Sequence, residues 1–169
     1  MGCSVIGEKD NGILMALSTA LMVPEFIEIF STPSLEPSMS AIRIVDAVSR
    51  YLAAGNNVAF GSFVCWGYPY PQMIQCFSVP KPDARIFAID FTAAIISGLA
   101  GLYTTFQIKT IPPGPVMLPM MMAAVSKHNL SSIPFAIEVA SAIHAQATST
   151  IITVSDPKLL GAVYAGPFF

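Results

Sequence analysis

Charged side chains are scarce in this sequence. Its 169 residues include eight Lys and Arg and ten Asp and Glu, so charged residues make up 11% of the chain and the formal net charge is -2. Soluble domains average about 25% charged residues. Because 54% of the residues are hydrophobic, we expect lipid or other protein surfaces to cover much of the chain. No basic run occurs, so nucleic acid is not an expected partner.

Cysteine and histidine are also few. The chain has Cys3, Cys65 and Cys76, and two histidines, His128 and His144. None of them forms a closely spaced ligand pattern, so we predict no metal site, and the redox state of the three thiols stays open. Phosphate-binding loops, nucleophile elbows and zinc-protease motifs are absent as well. The sequence therefore predicts a non-catalytic protein without catalytic residues, and it indicates no particular cofactor.

A long apolar stretch over residues 86–108 dominates what the sequence does contain. As an α-helix it would be roughly 35 Å long, enough for a hydrocarbon core of about 30 Å, so we predict a transmembrane helix. A buried helix of a soluble assembly is the alternative. Small residues recur along it and let two helices approach closely, which predicts a helix-packing interface. The residues of that interface are Ala93, Ser97, Gly98 and Gly101.

Three polar residues interrupt the apolar helices and are candidate polar or ligand sites. Asp90 lies about one turn inside the first long helix, where a carboxylate can reach the interface, although a ligand or proton-relay role is the alternative. Glu138 and His144 fall in a second long helix predicted over residues 132–154. They are six positions apart, about 240° around a helix, so they do not share a face. We expect each to be a hydrogen-bonded interface group, with pigment or haem ligation by His144 as the alternative.

An aromatic-rich segment covers residues 58–80. Phe63, Trp66, Tyr68 and Tyr70 form its aromatic cluster. Aromatic and β-branched residues favour short strands, so we predict an extended segment or a small hairpin. Such a cluster is typical of a compact core or partner surface, and a site for a ring-bearing ligand is the alternative.

The remaining pattern completes a mainly α fold in a single domain, residues 1–169. Its N-terminal half, residues 1–82, carries a helix over residues 13–30 kinked by Pro24 and an amphipathic helix that Ser38 or Ser40 begins. The C-terminal half, residues 83–169, carries the two hydrophobic helices with a short helix between them.

These features lead to one functional expectation and two alternatives. We expect a non-catalytic structural or accessory subunit of a larger membrane-embedded assembly, located in the membrane, whose partners are other subunits, copies of itself and lipid. The first alternative is a self-assembling coat or filament subunit, located in a virion or another supramolecular particle. The second alternative is a pigment- or quinone-binding membrane subunit.

Overall fold

The computed structural model describes residues 18–32, 36–54, 67–101, 107–111, 114–127, 131–155 and 163–167. Most of them are helical, which confirms the mainly α fold class. After a 3-10 turn at Thr19–Leu21, the elements are α1 Val23–Ser31, α2 Pro37–Ala53, α3 Tyr70–Ser78, α4 Ala84–Ala100, β1 Gln107–Ile111, α5 Met117–Ser126, α6 Ser132–Ser149, β2 Ile151–Ser155 and β3 Val163–Pro167.

Proline marks where three of these helices begin. Pro24, Pro37 and Pro71 lie in the first turns of α1, α2 and α3. Proline suits this place because its φ angle is already helical and its missing N–H would have no partner within the helix. Pro24 therefore starts α1 and does not kink it, and the prediction of a kinked helix is wrong there; residues 13–17 lie outside the described residues.

The six helices of the described chain pack as a ring in sequence order. Each contacts the next, and α6 returns to contact α1 and also touches α4. Large buried side chains reach the shared core from five helices, namely Phe26, Tyr51, Met73, Phe91 and Met117. The sixth helix, α6, contributes several buried alanines, which let its neighbours pack close to its backbone.

Two segments that the sequence analysis assigned to long helices end in strands. The predicted helix over residues 86–108 stops at Ala100, and the one over residues 132–154 stops at Ser149. β1 and β2 pair antiparallel, with Gln107 opposite Ser155, and β2 pairs antiparallel with β3. Both helices were therefore predicted too long. The β-branched residues in 108–111 and 151–154 favour strands over the last turns of helices.

The predicted hairpin within residues 58–80 is also wrong over the described residues, because Tyr70–Ser78 is helical. Met73 and Cys76 are both buried, three positions apart, as expected for one face of a helix. Pro71 in the first turn is a helix start signal. The sequence analysis gave more weight to the aromatic composition and so predicted a hairpin. Residues 58–66 lie outside the described residues.

The transmembrane interpretation is corrected by helix length and polarity. No helix in the described part of the chain is long and apolar enough to cross a membrane. α4 has 17 residues, about 25 Å, against a hydrocarbon core of about 30 Å. α6 has 18 residues but contains Glu138, His144 and Gln146.

Candidate functional site

The side of α4 that faces away from the core carries an unusual set of residues, which we call the α4 face: Ile86, Ile89, Ala93, Ser97 and Ala100. They recur at spacings of three and four, so they form one stripe. Ile86 is 38% exposed and Ile89 is 46% exposed, and the other three are exposed as well. An outward helix face is normally charged, whereas this one has charges only at its edges, where Arg85 and Asp90 lie. Contiguous exposed apolar surface of this kind is typical of interaction sites.

Asp90 is held by a lysine from the segment before α4. Lys81 Nζ lies 2.5 Å from Asp90 Oδ2, and the lysine side chain is only 14% exposed. The sequence identified Asp90 as a candidate ligand site but did not identify this partner. The ion pair neutralises the negative charge at the edge of the α4 face, which lowers the cost of covering that face with protein.

A cleft of about 330 Å³ separates α3 from α4 beside the α4 face. We call it the α3/α4 cleft; it is lined by Gln72, Gln75, Cys76, Asp90, Ala93, Ala94 and Ser97. Burial, with the nearby Asp90 carboxylate, raises the pKa of the Cys76 thiol to about 11. The thiol therefore stays protonated near neutral pH and is a poor nucleophile. The cleft brings together three predicted residues, Asp90, Ala93 and Ser97, with α3 residues that the sequence analysis did not single out.

The two glycines of the predicted helix-packing interface contact another part of the same chain. The N–H of Gly67 donates to the carbonyl of Gly98 at 2.9 Å. A Cβ on Gly101 would lie 2.8 Å from the Cα of Gly67. Gly98 and Gly101 thus let the segment before α3 approach α4, while Ala93 and Ser97 lie on the exposed side. That these four residues form an interface between helices stays a prediction.

Glu138 and His144 have separate partners in the fold. Glu138 pairs with Lys127 at the end of α5. His144 Nδ1 lies 2.7 Å from the hydroxyl of Tyr51, a buried phenol whose pKa is raised by burial, so it keeps its proton. This contact engages one of the two ring nitrogens of His144. Within the described residues, no three His, Cys, Asp or Glu side chains are grouped to hold a metal ion.

Two members of the aromatic cluster lie against each other, and two lie outside the described residues. The rings of Tyr68 and Tyr70 stack with centroids 5.8 Å apart. The Tyr70 hydroxyl donates to Asp46 Oδ1 at 2.7 Å, which ties α3 to α2. Burial, followed by the contact with Asp46, raises the pKa of Tyr70 to about 12. Phe63 and Trp66 are the members outside.

A second aromatic site was missed by the sequence analysis. A cleft of about 550 Å³, here the phenylalanine cleft, is lined by Phe30, Phe77, Ala84, Phe87, Ala124, Val125, Lys127, Ser132 and Phe135. Its rings meet edge-on, with centroids 4.9 Å apart for Phe30 and Phe135 and 5.5 Å apart for Phe77 and Phe87. The four rings come from α1, α3, α4 and α6, so no local spacing in the sequence could have indicated the site.

Comparisons of the chain with protein-family models, with curated proteins and with solved structures each found no match.

Proposed function

We propose that this chain is a non-catalytic structural subunit that assembles with copies of itself through the α4 face. The observation that carries the proposal is the uncharged, exposed stripe on a helix whose other side is packed into the core. Ile86 and Ile89 are exposed there, and the charges that flank them are paired within the chain, Asp90 with Lys81 and Arg85 with Asp83. Covering such a stripe removes apolar surface from water, worth about 25 cal/mol per Å².

Charge distribution elsewhere in the described chain supports the same proposal. Arg43 bridges Glu25 and Glu28, which joins α2 to α1. Further pairs join Lys81 to Asp90, Asp83 to Arg85, and Lys127 to Glu138. Since charges are few and many of them pair within the chain, little electrostatic repulsion opposes the approach of a second copy. A particle or filament would need a further contact, for which the exposed Ile133 and Ile137 of α6 are candidates.

Sedimentation velocity in detergent-free buffer tests this proposal. We expect the chain to sediment as a species larger than its 18.0 kDa monomer, and Ile89→Lys to shift it towards the monomer. Leu21→Lys is the matched control, because Leu21 is also 46% exposed but lies outside α4. A stable, monodisperse 18.0 kDa species for the unmodified chain would overturn self-assembly. Equal effects of the two substitutions would show that the contact does not use the α4 face.

A second candidate function is the binding of a small ring-bearing molecule, and the phenylalanine cleft favours it. Its volume of about 550 Å³ falls within the range of about 300–1,000 Å³ typical of ligand pockets. Ser132 and Lys127 at the edge provide polar contacts beside four aromatic rings. A monomeric chain in the sedimentation experiment would make this cleft the leading candidate.

A further inference from the structure

The α4 face has an uneven distribution of side-chain size along its length. Its two large residues, Ile86 and Ile89, occupy the N-terminal half of the helix. Ser97 and Ala100 in the C-terminal half are small, and Ala93 lies between the two groups. A surface of this kind is complementary to itself only when one copy is reversed relative to the other.

We infer that two copies meet α4 against α4, antiparallel, about a twofold axis that passes beside Ala93. This inference rests on the proposed self-assembly and adds its geometry. In a twofold contact the same patch serves both copies, and residue pairs occur reciprocally. Reversal about Ala93 places Ile86 opposite the partner's Ala100 and Ile89 opposite the partner's Ser97. Each large side chain then meets a small one, as close packing requires.

A parallel arrangement of the same face packs poorly. Ile86 and Ile89 would then face their own copies and hold the two helices apart. Ser97 and Ala100 would also face their own copies and leave a gap between the backbones. Empty space beside apolar side chains forfeits contact energy, so the antiparallel arrangement is favoured by packing alone.

Charge favours the same direction. Arg85, whose side chain is 70% exposed, lies at the N-terminal end of α4. In the antiparallel pair it lies beside the C-terminal end of the partner's helix, where the backbone carbonyls carry partial negative charge. A parallel pair would instead place the two positive helix ends next to each other.

The α3/α4 cleft provides space for the partner's isoleucine. Ala93 and Ser97 form part of its wall, and its volume of about 330 Å³ extends towards Gln72 and Gln75 of α3. Because Ser97 lies opposite the partner's Ile89, that side chain projects into the mouth of the cleft. The reciprocal contact fills the same cleft on the other copy.

The size of the contact indicates that α3 takes part. A helix of 17 residues that is about 25 Å long and about 10 Å wide covers roughly 250 Å², whereas a stable interface needs about 800 Å² from each partner. Gln72 and Gln75 of α3 are exposed, as is Val79 just after it, and the two glutamines line the other wall of the cleft. They extend the contact surface beyond α4.

Disulfide cross-linking distinguishes the two arrangements. In a background with Cys3→Ser, Cys65→Ser and Cys76→Ala, whose fold is checked by circular dichroism, single cysteines are introduced and oxidised. We expect Ala93→Cys to cross-link at least tenfold more than Ile89→Cys. Two copies of position 89 lie about 12 Å apart along antiparallel helices, beyond the reach of a disulfide of about 7 Å between Cα atoms. The double variant Ile89→Cys with Ser97→Cys is expected to restore cross-linking.

Charge exchange in the unmodified cysteine background provides a second measurement. Ile86→Glu and Ala100→Lys should each weaken association at least fivefold by sedimentation. The double variant should recover most of it, because positions 86 and 100 face each other only in the antiparallel pair. Cross-linking by Ile89→Cys as efficient as by Ala93→Cys, or no recovery in the charge pair, would overturn this geometry. If the unmodified chain still assembled, the proposed function would stand without the antiparallel geometry. A monomeric unmodified chain would instead overturn the proposed function itself.

Discussion

At the scale of single residues, close backbone contact depends on glycine. Gly67 lies against the last turn of α4, where its N–H bonds the carbonyl of Gly98. Any side chain on Gly101 would enter the space that the Gly67 backbone occupies. Small residues at the end of α4 are therefore needed by the fold of the chain itself.

Gly101→Ala is expected to lower the free energy of unfolding by about 1–3 kcal/mol, the usual cost of overpacking. The new Cβ would lie 2.8 Å from Gly67 Cα and 3.1 Å from Gly67 N, and both atoms belong to backbone that cannot rotate away. Gly114→Ala is the control, since a Cβ there meets nothing within 4 Å. It should be neutral or stabilise by up to about 1 kcal/mol. Equal urea midpoints for the two variants would contradict this account.

Ionisation of Tyr70 should lower the free energy of unfolding at alkaline pH. Its pKa is raised from 10.0 to about 12 in the fold, so the unfolded chain loses this proton first. The stabilisation is complete below about pH 10 and is lost as the pH rises towards 12. Tyr70→Phe should therefore reduce the slope of unfolding free energy against pH between 10 and 12, measured by urea unfolding. Near pH 8 the difference between the two proteins should be constant, and identical slopes above pH 10 would refute the prediction.

At the scale of elements, α4, α5 and α6 differ in how well their buried polar groups are satisfied. Gln146 of α6 is fully buried and its Oε1 accepts from the N–H of Met117 at 3.0 Å, so it serves α5 in place of a local cap. The Nε2 of Gln146 and the hydroxyl of Thr92 on α4 are both buried without a partner among the described residues. Gln146 therefore links two helices but leaves its amide nitrogen unpaired, whereas the Thr92 hydroxyl makes no link and only costs free energy.

These two residues should respond in opposite directions to apolar substitution. Gln146→Met leaves the Met117 N–H unpaired but also removes the unpaired Nε2, so it is expected to lower the free energy of unfolding by only about 1 kcal/mol. Thr92→Val removes an unpaired buried hydroxyl at nearly constant volume and is expected to raise it by about 1 kcal/mol. Thermal unfolding of both variants is the measurement. Destabilisation by Thr92→Val would show that this hydroxyl has a bonding role.

At the scale of the whole molecule, the ring buries one side of each helix, and few charged residues lie on the outward sides. Arg43 lies between Glu25 and Glu28, so the pKa of Glu28 is held below its usual range and that of Arg43 above it. These charges are directed at each other across α1 and α2. The outward sides of α4 and α6 have few charges. We expect self-association at the α4 face, where exposed apolar residues run along the helix.

Helix starts and the overall class could be read from the sequence because their causes are local. Pro37 and Ser132 mark the beginnings of α2 and α6 close to where the sequence placed them. Tyr70–Ser78 was misassigned because aromatic composition favours strands in general, while the short helix it forms is held by burial of Met73 and Cys76. Strand β2 was missed because the β-branched residues 151–154 were assigned to the end of α6, although Thr148, Ser149 and Thr150 interrupt the apolar run before them.

The sequence by itself determined that this protein is mainly helical and poor in charge, because composition and helical periodicity can be read locally. Only the tertiary structure decided which side of α4 is exposed. That helix is apolar on nearly every side, so it has no amphipathic pattern to read, and its orientation depends on the helices packed around it. The partners Lys81 for Asp90 and Tyr51 for His144 were decided in the same way. Each pair joins residues from different segments, which come together only when the ring of helices closes.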